Sequence, residues 1–134
     1  MIGLDTNILV RYLAQDDAKQ SAIATRIMES RITTENPGFI SVVAMVETVW
    51  VLDRAYGLAS SEITAALERI LQTEALVVES EQEVFAAMMA LKERRGSFAD
   101  AVIGALGAKA GCECTLTFDK SALGLPGFEL ASGH

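Results

Sequence analysis

Residues 1–13 read MIGLDTNILVRYL, and this stretch decides the fold. Met1 to Leu4 form a very short apolar run that stops at Asp5, after which Ile8, Leu9, Tyr12 and Leu13 recur at helical spacing. A strand that ends in an acid and runs straight into a helix is the opening half of a strand–helix unit. The same alternation continues outward. Asp16 and Asp17 open a second helix to about Arg31, and the polar, Pro-containing segment 33–38 breaks it before a short strand near Phe39 and Ile40. From Ser41 or Val42 to Tyr56 almost every residue is apolar, so this helix is expected to be buried on most sides, with Gly57 as its stop and Ser60 or Ser61 capping the next. That helix ends near Thr73. Residues 76–79 predict a third strand, 82–95 an amphipathic helix closed by Gly96, 98–110 a helix restarted by Ser97, 114–118 a fourth strand delivering Asp119, and 128–130 a last short strand. Strands alternating with helices predict one α/β domain over residues 1–134, with a mostly parallel sheet, helices on both faces, and a site beyond the carboxyl ends of the strands.

The composition bounds the function. Eleven Lys and Arg against eighteen Asp and Glu give a net charge of −7, the opposite of the basic stripe by which a protein grips nucleic acid through charge alone. With 51% hydrophobic and 22% charged residues and two prolines, the chain has the makings of a packed core rather than of a disordered segment. No apolar run reaches the roughly 18 residues of a membrane span. The start lacks a basic region and cleavage site, and Cys112 and Cys114, one residue apart, make no disulfide framework; both points predict a cytoplasmic protein. Two thiols and a distant His134 fall short of a structural zinc set, and an alternating apolar segment accounts for Cys112 and Cys114 as strand residues.

Four carboxylates stand out. Asp5 and Asp119 follow strands, where an acid also serves as a helix cap or turn residue. Asp100 lies three residues after Ser97, the spacing of a reciprocal capping box. Glu47 interrupts an apolar helix, where a lone buried carboxylate is costly unless it is protonated, paired, or lines a cavity. In a doubly wound fold all four can converge on one crevice. Each close pair of ionised carboxylates then repels by about 1 to 4 kcal/mol, so the cluster calls for cations, and an all-oxygen set selects hard ions such as Mg²⁺. Bound metal would also supply the positive field that an acidic chain lacks.

These residues carry a resemblance. Residues 1–7 (MIGLDTN), Glu47 in VETVW, 98–104 (FADAVIG) and 117–119 (TFD) resemble the motifs of the PIN-domain nucleases, in order and over the whole chain. Among these the chain is most similar to the VapC toxins of bacterial toxin–antitoxin pairs. The resemblance implies a three-layer α/β/α sandwich with a mostly parallel central sheet of four to five strands. It implies a metal-dependent endoribonuclease that hydrolyses RNA phosphodiester bonds with water activated by one or two Mg²⁺ or Mn²⁺ ions. Asp5, Glu47, Asp100 and Asp119 would form the catalytic and metal-binding site, with Thr6, Asn7 and Thr117 as polar supports. It also implies an RNA substrate, a DNA-binding antitoxin partner and a homodimer. No nucleophilic side chain is needed, in keeping with a chain whose single histidine is His134.

Arg11, Lys92, Arg94 and Arg95 are the basic residues that would steer RNA, although the last three also suit the C-terminal end of their own helix. Trp50, Tyr12 and Tyr56 are of the type that stacks on splayed bases, yet aromatics on an apolar helix more often pack in a core or a dimer interface, which is the expectation here. Alternatives are a catalytically silent PIN-fold module acting through RNA or antitoxin contacts, and an Asp-nucleophile phosphatase of the haloacid-dehalogenase type. The phosphatase needs a second Asp where Asn7 stands, and a phosphoaccepting receiver domain would need one where Glu79 and Ser80 stand.

Overall fold

Strand β1 spans only Ile2–Gly3, too short to hold itself, and it is fixed by the strand beside it. In the computed structural model, which describes residues 1–132, β1 pairs in parallel with β2 (Gly38–Ile40), and β2 with β3 (Leu76–Val78). The register sets Ile2 against Gly38, and Ile40 against Val78. Helices α1 (Thr6–Ala14) and α2 (Ala18–Arg26) connect the first pair of strands, and α2 runs on into one π-helical turn, Ile27–Arg31. Helices α3 (Val42–Arg54) and α4 (Ser60–Gln72) connect the second. Both connections join parallel neighbours through helices, as the alternation in the sequence requires.

The chain folds as two compact units, Met1–Glu81 and the residues from Gln82 onward. The second holds α5 (Glu81–Lys92), which begins at the junction, α6 (Phe98–Lys109), and the parallel pair β4 (Thr115–Thr117) and β5 (Phe128–Leu130). Residues 118–127 join that pair through a 3₁₀ turn, Lys120–Gly124, in place of a helix. The architecture is α/β with six α-helices and five strands among the described residues; every strand pairing is parallel, hydrogen-bonded as a sheet of three and a sheet of two. His134, whose lack of a role the sequence suggests, lies outside the described residues.

Large apolar side chains fill the core of the first unit: Leu9, Ile40, Met45, Leu52 and Leu67 are almost fully covered, each worth about 1.5 to 3 kcal/mol of burial. In the second unit Val84, Met88, Phe98 and Val102 fill the same role. Two glycines lie under close neighbours. A Cβ on Gly38 would lie 2.8 Å from the end of the Leu4 side chain and 3.0 Å from that of Leu76, so a larger residue there would make those leucines shift. A Cβ on Gly124 would meet the Arg95 carbonyl oxygen at 2.5 Å, and backbone cannot step aside as a flexible side chain can. The turn that follows Asp119 is thereby seated against the segment that leads into α6.

Three expectations are corrected. Helix α3 is not buried on most sides: Ala44, Met45, Thr48, Val49 and Leu52 are covered, whereas Val43 and Trp50 are 64% and 61% exposed. The surplus of apolar residues hid which stripe faces inward. Neither cysteine lies in a strand, since β4 begins at Thr115; Cys112 is exposed and Cys114 half-buried in the preceding loop. Helix α4 is not capped by a serine: Ala59 holds the cap position, and the Glu62 carboxylate reaches back to accept from the Ala59 N–H at 3.0 Å.

The close approach at Gly124 makes a prediction. Gly124→Ala forces the 3₁₀ turn away from Arg95 and is expected to destabilise the protein by about 1–3 kcal/mol, the range for overpacking. Urea denaturation checks this, and an unchanged midpoint would show that the turn has room to move.

Candidate functional site

Because β1, β2 and β3 are parallel, their carboxyl ends share one edge, and each strand leaves that edge through a polar residue. After β1 comes Asp5, the N-cap of α1, whose Oδ1 accepts from the Thr6 N–H at 2.8 Å. After β2 comes Ser41, which caps α3 by accepting from Ala44 N–H at 3.1 Å. After β3 comes Glu79, whose N–H donates to the Ile40 carbonyl at 2.9 Å and whose Oε1 accepts from the Val42 N–H at 2.8 Å. Orphan amides of helix starts and carboxylates suit one another, since the partial positive charge of the terminus favours an anion.

Glu47 lies in the second turn of α3 and is exposed, contrary to the expectation of a carboxylate sunk in an apolar helix. Its Oε1 accepts from the Thr6 hydroxyl at 3.1 Å, a contact between residues 41 apart in the chain. Thr6 itself is buried and joins the two acids, its N–H on Asp5 and its hydroxyl on Glu47. The first unit thus brings Asp5, Thr6 and Glu47 together. Asn7, the next residue of α1, is exposed.

The second unit carries the other pair. Ser97 caps α6, its Oγ accepting from the Asp100 N–H at 3.1 Å. This is half of the expected box: the half-buried Asp100 carboxylate makes no return hydrogen bond among the described residues. Thr117, the last residue of β4, accepts from the Asp119 N–H at 3.0 Å. Asp119 caps the 3₁₀ turn, its Oδ1 accepting from the Ser121 N–H at 2.8 Å and from the Ser121 hydroxyl at 2.6 Å. The Ser121 hydroxyl, then its N–H, hold the Asp119 carboxyl below the usual carboxylate range.

Asp5 and Asp119 are caps, as the plainer reading of the sequence has it, but each cap engages only Oδ1. The second oxygen of each carries no hydrogen bond among the described residues. Capping and ligation are compatible on one carboxylate for this reason. Exposed or half-exposed carboxylate oxygens are the donor set that hard divalent cations take, so the residues present suit Mg²⁺ or Mn²⁺. Within neither unit, among the described residues, do three or more His, Cys, Asp or Glu side chains gather into a metal-holding group.

The basic candidates differ in what surrounds them. The Arg11 guanidinium donates to Gln20 Oε1 at 2.8 Å, to Asp16 at 3.1 Å and to the Tyr56 hydroxyl at 3.1 Å. The Tyr56 hydroxyl, with Arg11 behind it, holds the Asp16 carboxyl low. Arg95 pairs with Glu93 at 3.1 Å, and Arg94 takes a left-handed conformation (φ 57°) where α5 unwinds. Lys92, Arg94 and Arg95 are all exposed. Trp50, expected in a core, is exposed on the same face of α3 as Glu47. Sequence reasoning also passed over Glu79 as a site-edge residue, although its signal is the one that marked Asp5 and Asp119: an acid directly after a short apolar strand.

The sequence model of one protein family, the PIN domain, matches residues 2–124, a span that contains all four acids and runs through both units. The chain belongs to the PIN domain family. Members of this family are generally metal-dependent nucleases that use Mg²⁺ or Mn²⁺. No curated protein matches the chain. No helix among the described residues is long and apolar enough to cross a membrane.

The low titration of Asp119 is a testable property of the second unit. A depressed carboxyl stabilises the fold above its ordinary value of 3.8, and that contribution is lost as pH falls through the depressed value. Ser121→Ala removes the first cause, so the Asp119 carboxyl is expected to titrate higher, toward 3.8, in a carbon-13 NMR titration. An unmoved titration would assign the depression to the backbone amide alone.

Proposed function

We propose that this chain is a single-domain endoribonuclease of the VapC type, the toxin of a toxin–antitoxin pair, acting in the cytoplasm on RNA. What carries the reading is that one family match, residues 2–124, spans four acids, three of them at or near an element start and Glu47 in the second turn of α3, with hydrogen bonds engaging at most one carboxylate oxygen of each. Asp5, Glu47, Asp100 and Asp119 act together as the metal-binding and catalytic set. When bound, Mg²⁺ or Mn²⁺ supplies the positive charge that a phosphodiester needs as negative charge builds on it in the transition state. The chain's own part is to hold its carboxylates in place beforehand. Thr6 fixes Asp5 and Glu47 through two hydrogen bonds, Ser121 and Thr117 fix Asp119 and its backbone, and Ser97 fixes the turn that presents Asp100. Such preorganisation removes the need to gather charges at the moment of reaction.

A net charge of −7 makes RNA contact depend on the cation, because the protein alone repels a polyphosphate. Lys92, Arg94 and Arg95 supply local steering. A homodimer and an inhibitory, DNA-binding antitoxin complete the proposal, and they follow from likeness to the VapC toxins alone.

The test is cleavage of structured RNA by protein freed of any antitoxin. Cleavage is expected in millimolar Mg²⁺ or Mn²⁺ and is abolished by chelator. Asp5→Asn and Asp100→Asn are expected to lower it on the order of 100-fold or more, as for loss of a main electrostatic stabiliser. Wild-type protein is also expected to melt higher with either ion, and these variants to lose most of that gain. Cleavage that survives chelation would refute the metal-dependent reading. An absence of both cleavage and metal-induced stabilisation would leave a silent binding module.

A further inference from the structure

Helix α3 turns an unusual stripe outward. Val43, Glu47, Trp50 and Arg54 lie at helical spacing on its uncovered side, with Val43 64% and Trp50 61% exposed and the Arg54 side chain 71% exposed. Tryptophan is the largest apolar side chain, and leaving so much of it in water calls for a reason. Along the axis Glu47 and Trp50 are about 4.5 Å apart and Glu47 and Arg54 about 10 Å. A carboxylate proposed to serve the scissile phosphate, an aromatic face and a guanidinium therefore follow one another within the reach of one or two nucleotides.

Resting on the ribonuclease reading above, we infer that Trp50 is the platform on which an unpaired base beside the scissile phosphate stacks, with Arg54 meeting the next phosphate along the strand. The stripe has the composition of a single-strand track, in which aromatic faces take bases and basic groups follow the backbone. It is poorly made for a second copy of the chain or for an apolar partner helix, because interface cores are depleted of charge and this face carries Glu47 and Arg54 on either side of the indole. Stacking is tolerant of base identity, so Trp50 would place the strand rather than read its sequence. It is a substrate-positioning residue.

Trp50 is the chain's single tryptophan, so its emission reports on this face alone. A short oligoadenylate mixed with the wild-type protein in millimolar Mg²⁺ and followed by stopped flow, before the strand is cut, is expected to quench that emission. An abasic ribose-phosphate chain of the same length is expected to do so far less. In cleavage assays Trp50→Ala raises KM by about 5- to 100-fold, the loss of one stacked base, while Trp50→Phe stays within about threefold because a phenyl ring stacks too. Equal quenching by the abasic chain, or an unchanged KM in Trp50→Ala, overturns the inference. So does emission that shifts with protein concentration and not with RNA, accompanied by loss of the dimer in Trp50→Ala, since the face then belongs to a second copy. If oligoadenylate quenches but no RNA is cut, the base platform stands and the nuclease reading falls; if RNA is cut with no base-dependent quenching, the reverse holds. Should Trp50→Ala fail to fold, the quenching comparison and Trp50→Phe decide the matter.

Discussion

The parallel seating of β2 between β1 and β3 is the constraint from which the rest of the first unit follows. At position 38 the lack of a side chain lets Leu4, Ile32 and Leu76 close in to 2.8 to 3.3 Å from where a Cβ would stand. With that register set, Asp5, Ser41 and Glu79 leave the sheet at one edge, α1 and α3 start side by side, and the Thr6 hydroxyl falls within 3.1 Å of Glu47. A hydrogen bond across that much sequence is a product of the register and not its cause, since one such bond contributes only about 1 kcal/mol.

The second unit solves a comparable problem with less chain. A parallel strand pair normally needs a helix between its members. Here residues 118–127 suffice, because the Asp119 cap folds them into a 3₁₀ turn and Gly124 lets that turn lie on the Arg95 carbonyl. Asp119 is therefore the residue that starts the crossover.

How much of this was legible in the sequence depends on what each signal measures. Element order was readable because strand and helix periods differ, and the acids at 5, 100 and 119 were readable because each follows an apolar strand or stands three residues after a Ser cap. The direction in which α3 faces was not. Valine and tryptophan on its outer side count as apolar wherever they point, so the pattern overstated burial and misjudged Glu47 and Trp50 together. Gly38 and Gly124 carried no local signal either, because the atoms that exclude a Cβ come from distant positions. The thiols at 112 and 114 alternate like strand residues, but β4 begins only at Thr115, where the backbone finds Gly127 to pair with.

The one-oxygen caps have a further consequence. Asparagine caps a helix start about as well as aspartate does, so exchanging Asp5 or Asp119 for its amide would remove a charge and keep the hydrogen bond that shapes the chain. On the proposed ribonuclease reading, integrity of the scaffold and competence in chemistry are uncoupled at these two positions. On that reading, a descendant that drifted to asparagine there would persist as a well-ordered but inert copy, still able to compete for whatever the active form binds.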